Sequence, residues 1–176
     1  MTVWVIEATS RKKFNPLARI IMRLQKTNFS HLAVIFFYNN GQSTVYHATW
    51  PKPVKCSFEE FFNHYYIQDA YKLQTPTNQS YTQLIGMMET LIDDKSFYSI
   101  QQLVFIYLQI QFSKLKTIFN MAVLNHERGL ICSELLARLL HAGWGLMFKS
   151  NYDSIDLLEA SEKARSIMDK ENTTDI

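Results

Sequence analysis

The sequence predicts an α+β domain, a small antiparallel sheet packed against helices that carry most of the mass. Three observations carry this. Runs rich in β-branched and aromatic residues, bounded by Asn, Gly and Pro, fill the first half near 3–6, 31–49 and 66–73. From Tyr81 onward the apolar residues recur at helical spacing instead. Hydrophobic residues make up 47% of the chain and charged residues 19%, which excludes a disordered polymer. One domain of 176 residues buries about 70% of its unfolded surface. Residues 1–170 read as that single domain and 171–176 as a frayed tail.

Val3-Trp4-Val5-Ile6 is the first strand, and it ends at the polar Thr9-Ser10-Arg11. Asn15 then caps a helix with Pro16 at its first position, where a missing N–H costs nothing. Leu17, Ile20, Ile21 and Leu24 form its inner stripe. A hairpin follows over 31–49, turning at Asn39-Asn40-Gly41, and Pro51 and Pro53 end it. Ser57-Phe58-Glu59-Glu60 has the spacing of a helix cap and first turn, with a short helix running to His64. Tyr66 to Leu73 is a further strand, closed by Pro76. Tyr81 to Asp93 is an amphipathic helix, and a long helix is expected from Ile100, capped by Ser99, to about Leu124. Gly129 breaks the pattern. From Ile131 a helix buries Cys132, Leu135, Leu136, Leu139 and Leu140 on one face, with Gly143 as its stop. Ser154 caps a last helix through Met168.

The formal charge of +2 gives no support for nucleic-acid binding. Six cations and one anion lie in 1–26, a basic face that reads as solvated, with contact to phosphate or to an anionic membrane surface as its other use. Cys56 and Cys132 are too few for a disulfide scaffold and lack zinc-ribbon spacing. The first cation, Arg11, follows a strand, which is the wrong order for a secretory signal. The longest apolar run, Leu103 to Leu108, is far short of the ~20 residues of a membrane span. These features predict a protein kept in a reducing cytoplasm, without a transmembrane segment.

Cys132 opens a helix, where unpaired N–H groups and the dipole favour a thiolate. A free cysteine on an apolar helix face also serves as a small core residue, so position alone does not decide. Cys56, between Lys55 and Ser57 in a Pro-rich loop, has less to recommend it. His31 and His47 are isolated polar residues in apolar strands, one at the start of the hairpin and one near its end. A helix-start cysteine with two strand-end histidines is a set of nucleophile, base and orienter. His126 lies in a loop before Cys132, His141 faces away around the helix, and His64 sits among aromatics with no evident partner. The same Cys132, His31 and His47 could instead hold zinc, but no close ligand pair supports it, and no metal or cofactor is expected. The hairpin supplies a check. A two-residue Asn40-Gly41 turn pairs positions summing to 81 and sends His47 to the face away from His31. A shared site needs an even sum, hence a three- or five-residue loop with Gly41 as the bulge residue.

Ser30-His31-Leu32-Ala33-Val34-Ile35, Asn40-Gly41 and Val45-Tyr46-His47-Ala48 together resemble the histidine hairpin of the NlpC/P60 papain-like cysteine peptidases. Ile131-Cys132-Ser133-Glu134-Leu135-Leu136 is similar to the nucleophile segment of their circularly permuted, YiiX-like branch, which includes relatives of lecithin:retinol acyltransferase. That branch places Cys after His in the chain. Phe97-Tyr98-Ser99 and Ser154-Ile155-Asp156-Leu157 are weaker echoes. Ala33 stands where a Gly is usual, Ser99 where Asp is frequent, and His47 where Glu is commoner. The resemblance implies a permuted papain-like core acting on a peptide, amide or acyl substrate. Amide or peptide hydrolysis ranks first and lipid acyl transfer second. A binding or inhibitory module on the same shell is the non-catalytic alternative, drawing on the basic N-terminal helix and the aromatic 58–71 region.

Overall fold

The computed structural model describes residues 1–12, 16–49, 51–94, 97–98, 129–149 and 155–169. The helix expected over 100–124, the caps at Asn15 and Ser154, and His126 lie outside the described residues.

The fold is α+β. Strands β1 (Thr2–Ser10), β2 (His31–Phe37), β3 (Ser43–Ala48), β4 (Pro53–Cys56) and β5 (Tyr65–Lys72) form one antiparallel sheet in the order β4-β3-β2-β1-β5. Helix α1 (Pro16–Gln25) joins β1 to β2, and α2 (Phe58–His64) leads into β5. Helices α3 (Tyr81–Asp94), α4 (Cys132–Trp144) and α5 (Leu157–Arg165) follow, with a two-residue parallel pair, β6 (Phe97–Tyr98) and β7 (Gly129–Leu130), between α3 and α4.

Alternation along the strands gives the sheet two buried faces. Val3, Val5, Leu32, Val34, Phe36, Tyr46 and Ala48 pack with Leu84 of α3, Leu135, Leu136 and Leu139 of α4, and Ala160 and Ala164 of α5. Ile6, Ala8, Ala33, Ile35 and Val45 point the other way and pack on Phe61 of α2. Glu7 also turns toward the helical side. It is 3% exposed and accepts hydrogen bonds from Ser161 Oγ and from Arg165 Nε and Nη2 of α5. That network fixes the last helix to the first strand.

Several local expectations need correction. The β2–β3 hairpin ends at Ala48, before Pro51 and Pro53, but Pro53 also begins β4, an edge strand where a missing ladder N–H is tolerated. Cys56 therefore lies in a strand. Helix α4 does not stop at Gly143; it runs to Trp144, and Gly145 caps it at φ 68° with its N–H donating to His141 O. Gly143 is there for packing, because a Cβ would come 3.2 Å from Leu84 Cδ1 of α3. The last helix is capped by Asp156, whose side chain accepts from Glu159 N, and ends at Arg165. Beyond it Met168 bridges to Leu73.

Candidate active site

The β2–β3 hairpin brings the two strand histidines together. Val34 pairs with Tyr46, Ile35 with Val45 and Phe37 with Ser43, an even register. Tyr38 N donates to Gln42 O, leaving Asn39, Asn40 and Gly41 as a three-residue loop with Gly41 at φ 81°. His31 and His47 thus share the face of Ala33, Ile35 and Val45. His31 Nε2 and His47 Nδ1 lie 3.0 Å apart, a hydrogen bond between rings set at 85°. Both are almost fully buried, at 6% and 4% exposure.

An aromatic floor holds the pair. Helix α2 begins at Ser57, whose side chain accepts from Glu60 N, and passes into β5 without a loop, so Tyr65 is both cap and first strand residue. Phe61 and Tyr65, one turn apart, stack at 4.6 Å and 14°. Tyr65 also stacks on His31 at 4.8 Å and 14°, while His47 stands edge-on to both rings. The junction is fixed from outside. Arg11 N donates to His64 O and its Nε to Tyr65 O, while its guanidinium lies between the exposed Phe62 and Tyr66 rings. Phe61 and Tyr65 of the aromatic 58–71 region thus pack under the histidine pair, while Phe62 and Tyr66 are exposed.

Cys132 is the first residue of α4, following Ile131 in extended conformation, and is buried. The residues after it set that helix start. Ser133 Oγ donates to Ile155 O at 2.6 Å, and the fully buried Glu134 pairs with Arg138 one turn on. Helix α4 covers the opposite sheet face from the histidines. The Tyr65 ring rests on His31, and burial, with smaller contributions from the Cys132 and Cys56 thiols, raises its phenol above the ordinary range. Thr49 Oγ1 and Tyr65 Oη share a hydrogen bond of 3.2 Å.

Burial dominates the electrostatics. It holds His31 well below the ordinary histidine range, with His47 adding to the effect. It lowers His47 to about 4, and His64 lowers it further. Both rings are thus neutral near pH 7, which suits a general base. Burial and Glu60 push the Cys56 thiol up to about 11. The pair opens onto a cleft of about 590 Å³ whose walls include Thr49, Cys56, His64 and Tyr65. His64 lines the same cleft. His141 is exposed, with Nδ1 at 3.2 Å from Leu146 O. Tyr65 carried no periodicity or motif that would single it out. Its one signal was aromatic spacing with Phe61.

Among the described residues no three His, Cys, Asp or Glu side chains gather as a metal cluster. None of the described helices is long and apolar enough to cross a membrane. The chain matches no known protein family and no curated protein.

Proposed function

We propose that the protein is a cysteine-dependent hydrolase of amide or peptide bonds on a permuted papain-like core. The observation that carries this reading is the buried His31–His47 hydrogen bond beneath the Tyr65 ring, on the wall of the cleft. Here Cys132 is the nucleophile, His31 the base and His47 the orienter. With His31 Nε2–H donating to His47 Nδ1, the His31 Nδ1 lone pair is left to take the thiol proton.

Cys132 Sγ attacks the substrate carbonyl carbon. The new S–C bond forms as the carbonyl π pair moves onto oxygen, and the thiol proton passes to His31. On collapse the C–N bond breaks, the amine leaves with the proton from His31, and a thioester remains on Cys132. Water then adds as His31 takes its proton, the C–S bond breaks and the thiol is restored. The N-terminus of α4, with the Cys132 N–H, faces the developing oxyanion.

The experiment is a panel of amide-bonded probes and a panel of phospholipids, each run with wild type and Cys132→Ala. Amide turnover lost in the variant supports the reading. A fatty-acyl thioester trapped on Cys132 without amide turnover reverses the substrate ranking in favour of lipid acyl transfer. Turnover that survives Cys132→Ala ends the hydrolase reading.

A further inference from the structure

We infer that Tyr65 is a second catalytic residue, its phenol donating a hydrogen bond to the substrate oxygen as the tetrahedral intermediate forms. The inference rests on the thiol-hydrolase reading and deepens it.

Tyr65 occupies a position that its ring alone does not explain. As packing, the ring needs only its stacks with Phe61 and His31, which a phenylalanine would make equally well. The hydroxyl is a separate matter. It lies in the wall of the cleft that His31 and His47 also line, beside Thr49 Oγ1. A hydroxyl accepts and donates at once. With Thr49 Oγ1 donating to the phenol oxygen, the phenol proton is free to turn into the cleft. Burial raises the phenol above its ordinary range, so it remains an O–H donor across the working pH span.

On the thiol-hydrolase reading, a substrate carbonyl held in this cleft beside His31 develops negative charge on its oxygen as the thiol adds. A half-buried O–H donor there stabilises the intermediate more than the ground-state carbonyl, which is what raises a rate. Tyr65 keeps its proton throughout. The electron pair stays on the substrate oxygen until the intermediate collapses. The imidazolium formed on His31 meanwhile rests against the face of the same ring, a favourable contact for a cation.

The test uses p-nitrophenyl acetate and iodoacetamide on wild type, Cys132→Ala, Tyr65→Phe and Tyr65→Leu. Acylation by the ester passes through an oxyanion, whereas alkylation does not. Wild type should release p-nitrophenolate with an acetyl thioester on Cys132, absent from Cys132→Ala. Tyr65→Phe keeps the stack and should acylate roughly 100-fold more slowly, the usual loss for one oxyanion donor, while its Cys132 alkylation rate is unchanged. Tyr65→Leu loses the stack and should slow both reactions. Equal acylation by Tyr65→Phe and wild type overturns the inference. So does a parallel fall in alkylation, which would put the phenol on the thiol and not the oxyanion. A wild type that takes no acetyl group on Cys132 overturns the hydrolase reading itself, a result distinct from either.

Discussion

Val34 lies directly opposite Tyr46, and that one pairing turns His31 and His47 to the same face of the sheet. Had Asn40 and Gly41 formed the whole turn, the register would shift by one and His47 would face helix α4. The three-residue loop depends on Gly41, whose φ of 81° is unfavourable for a side chain although nothing lies within 4 Å of an added Cβ. Gly41→Val should therefore cost backbone energy alone, about 1–2 kcal/mol. Gly41→Asn should cost clearly less, since Asn tolerates this conformation. Urea midpoints of the two variants check the difference, and equal midpoints would remove the loop from the account.

The histidine pair makes stability depend on pH in a definite direction. An unfolded His47 binds a proton below about 6.5, whereas the folded ring stays neutral down to about 4. Its contribution is thus complete above the unfolded value and is lost as the pH falls from there toward 4. Between pH 7 and pH 5, His47 alone should remove about 2 kcal/mol of stability. His31 adds in the same direction. Denaturation at both pH values, with His47→Phe as the variant of reduced slope, measures this. Imidazole NMR signals that titrate near 6.5 for all five histidines would contradict it.

The two thiols should be chemically distinct. Cys56 at about 11 leaves only about one thiolate in ten thousand at pH 7. Brief iodoacetamide treatment at pH 6–7 should label Cys132 and spare Cys56, with Cys56 reacting once the chain is denatured. Peptide mass spectrometry reads the ratio. Equal labelling, with the pH dependence of an ordinary thiol, would favour Cys132 as a core residue only.

The anchor of α5 is also open to test. Arg165→Met strips the buried Glu7 of its cation while Ser161 continues to donate to it. Loss of one partner of a buried pair costs about 3–5 kcal/mol, and the 40% exposure of Arg165 lowers the expectation to about 2 kcal/mol. Glu7→Gln, which removes the charge and keeps an acceptor, should be milder. Thermal midpoints decide the order.

What could be read from the sequence was local. Ser57 and Glu60 are three residues apart, and their cap forms where that spacing indicates. His31 and His47 stood out because a polar side chain in an apolar strand has few reasons to be there. The missed features depend on distant partners. Pro53 reads as a stop until β3 is known to lie beside it, when it becomes the start of an edge. Gly143 and Gly145 are equivalent as punctuation, and Leu84 from another helix decides which of them packs and which caps. Glu7 looks like the polar end of a strand because Arg165 is 158 residues away. Tyr65 matters only because α2 enters β5 without a loop, which puts its ring on a strand two places across the sheet.

The chain order of the candidate site has a consequence in time. His31 and His47 belong to a hairpin complete before residue 50, whereas Cys132 is added more than eighty residues later. At ordinary elongation rates that gap lasts roughly 4–17 seconds. Through much of its synthesis the nascent chain therefore carries His31 and His47, the proposed base and orienter, without the Cys132 thiol they are proposed to activate. On the hydrolase reading, a ribosome halted inside that window would display a chemically silent hairpin, and release from the halt would complete the site. Latency of that kind would follow from the direction in which the chain is made.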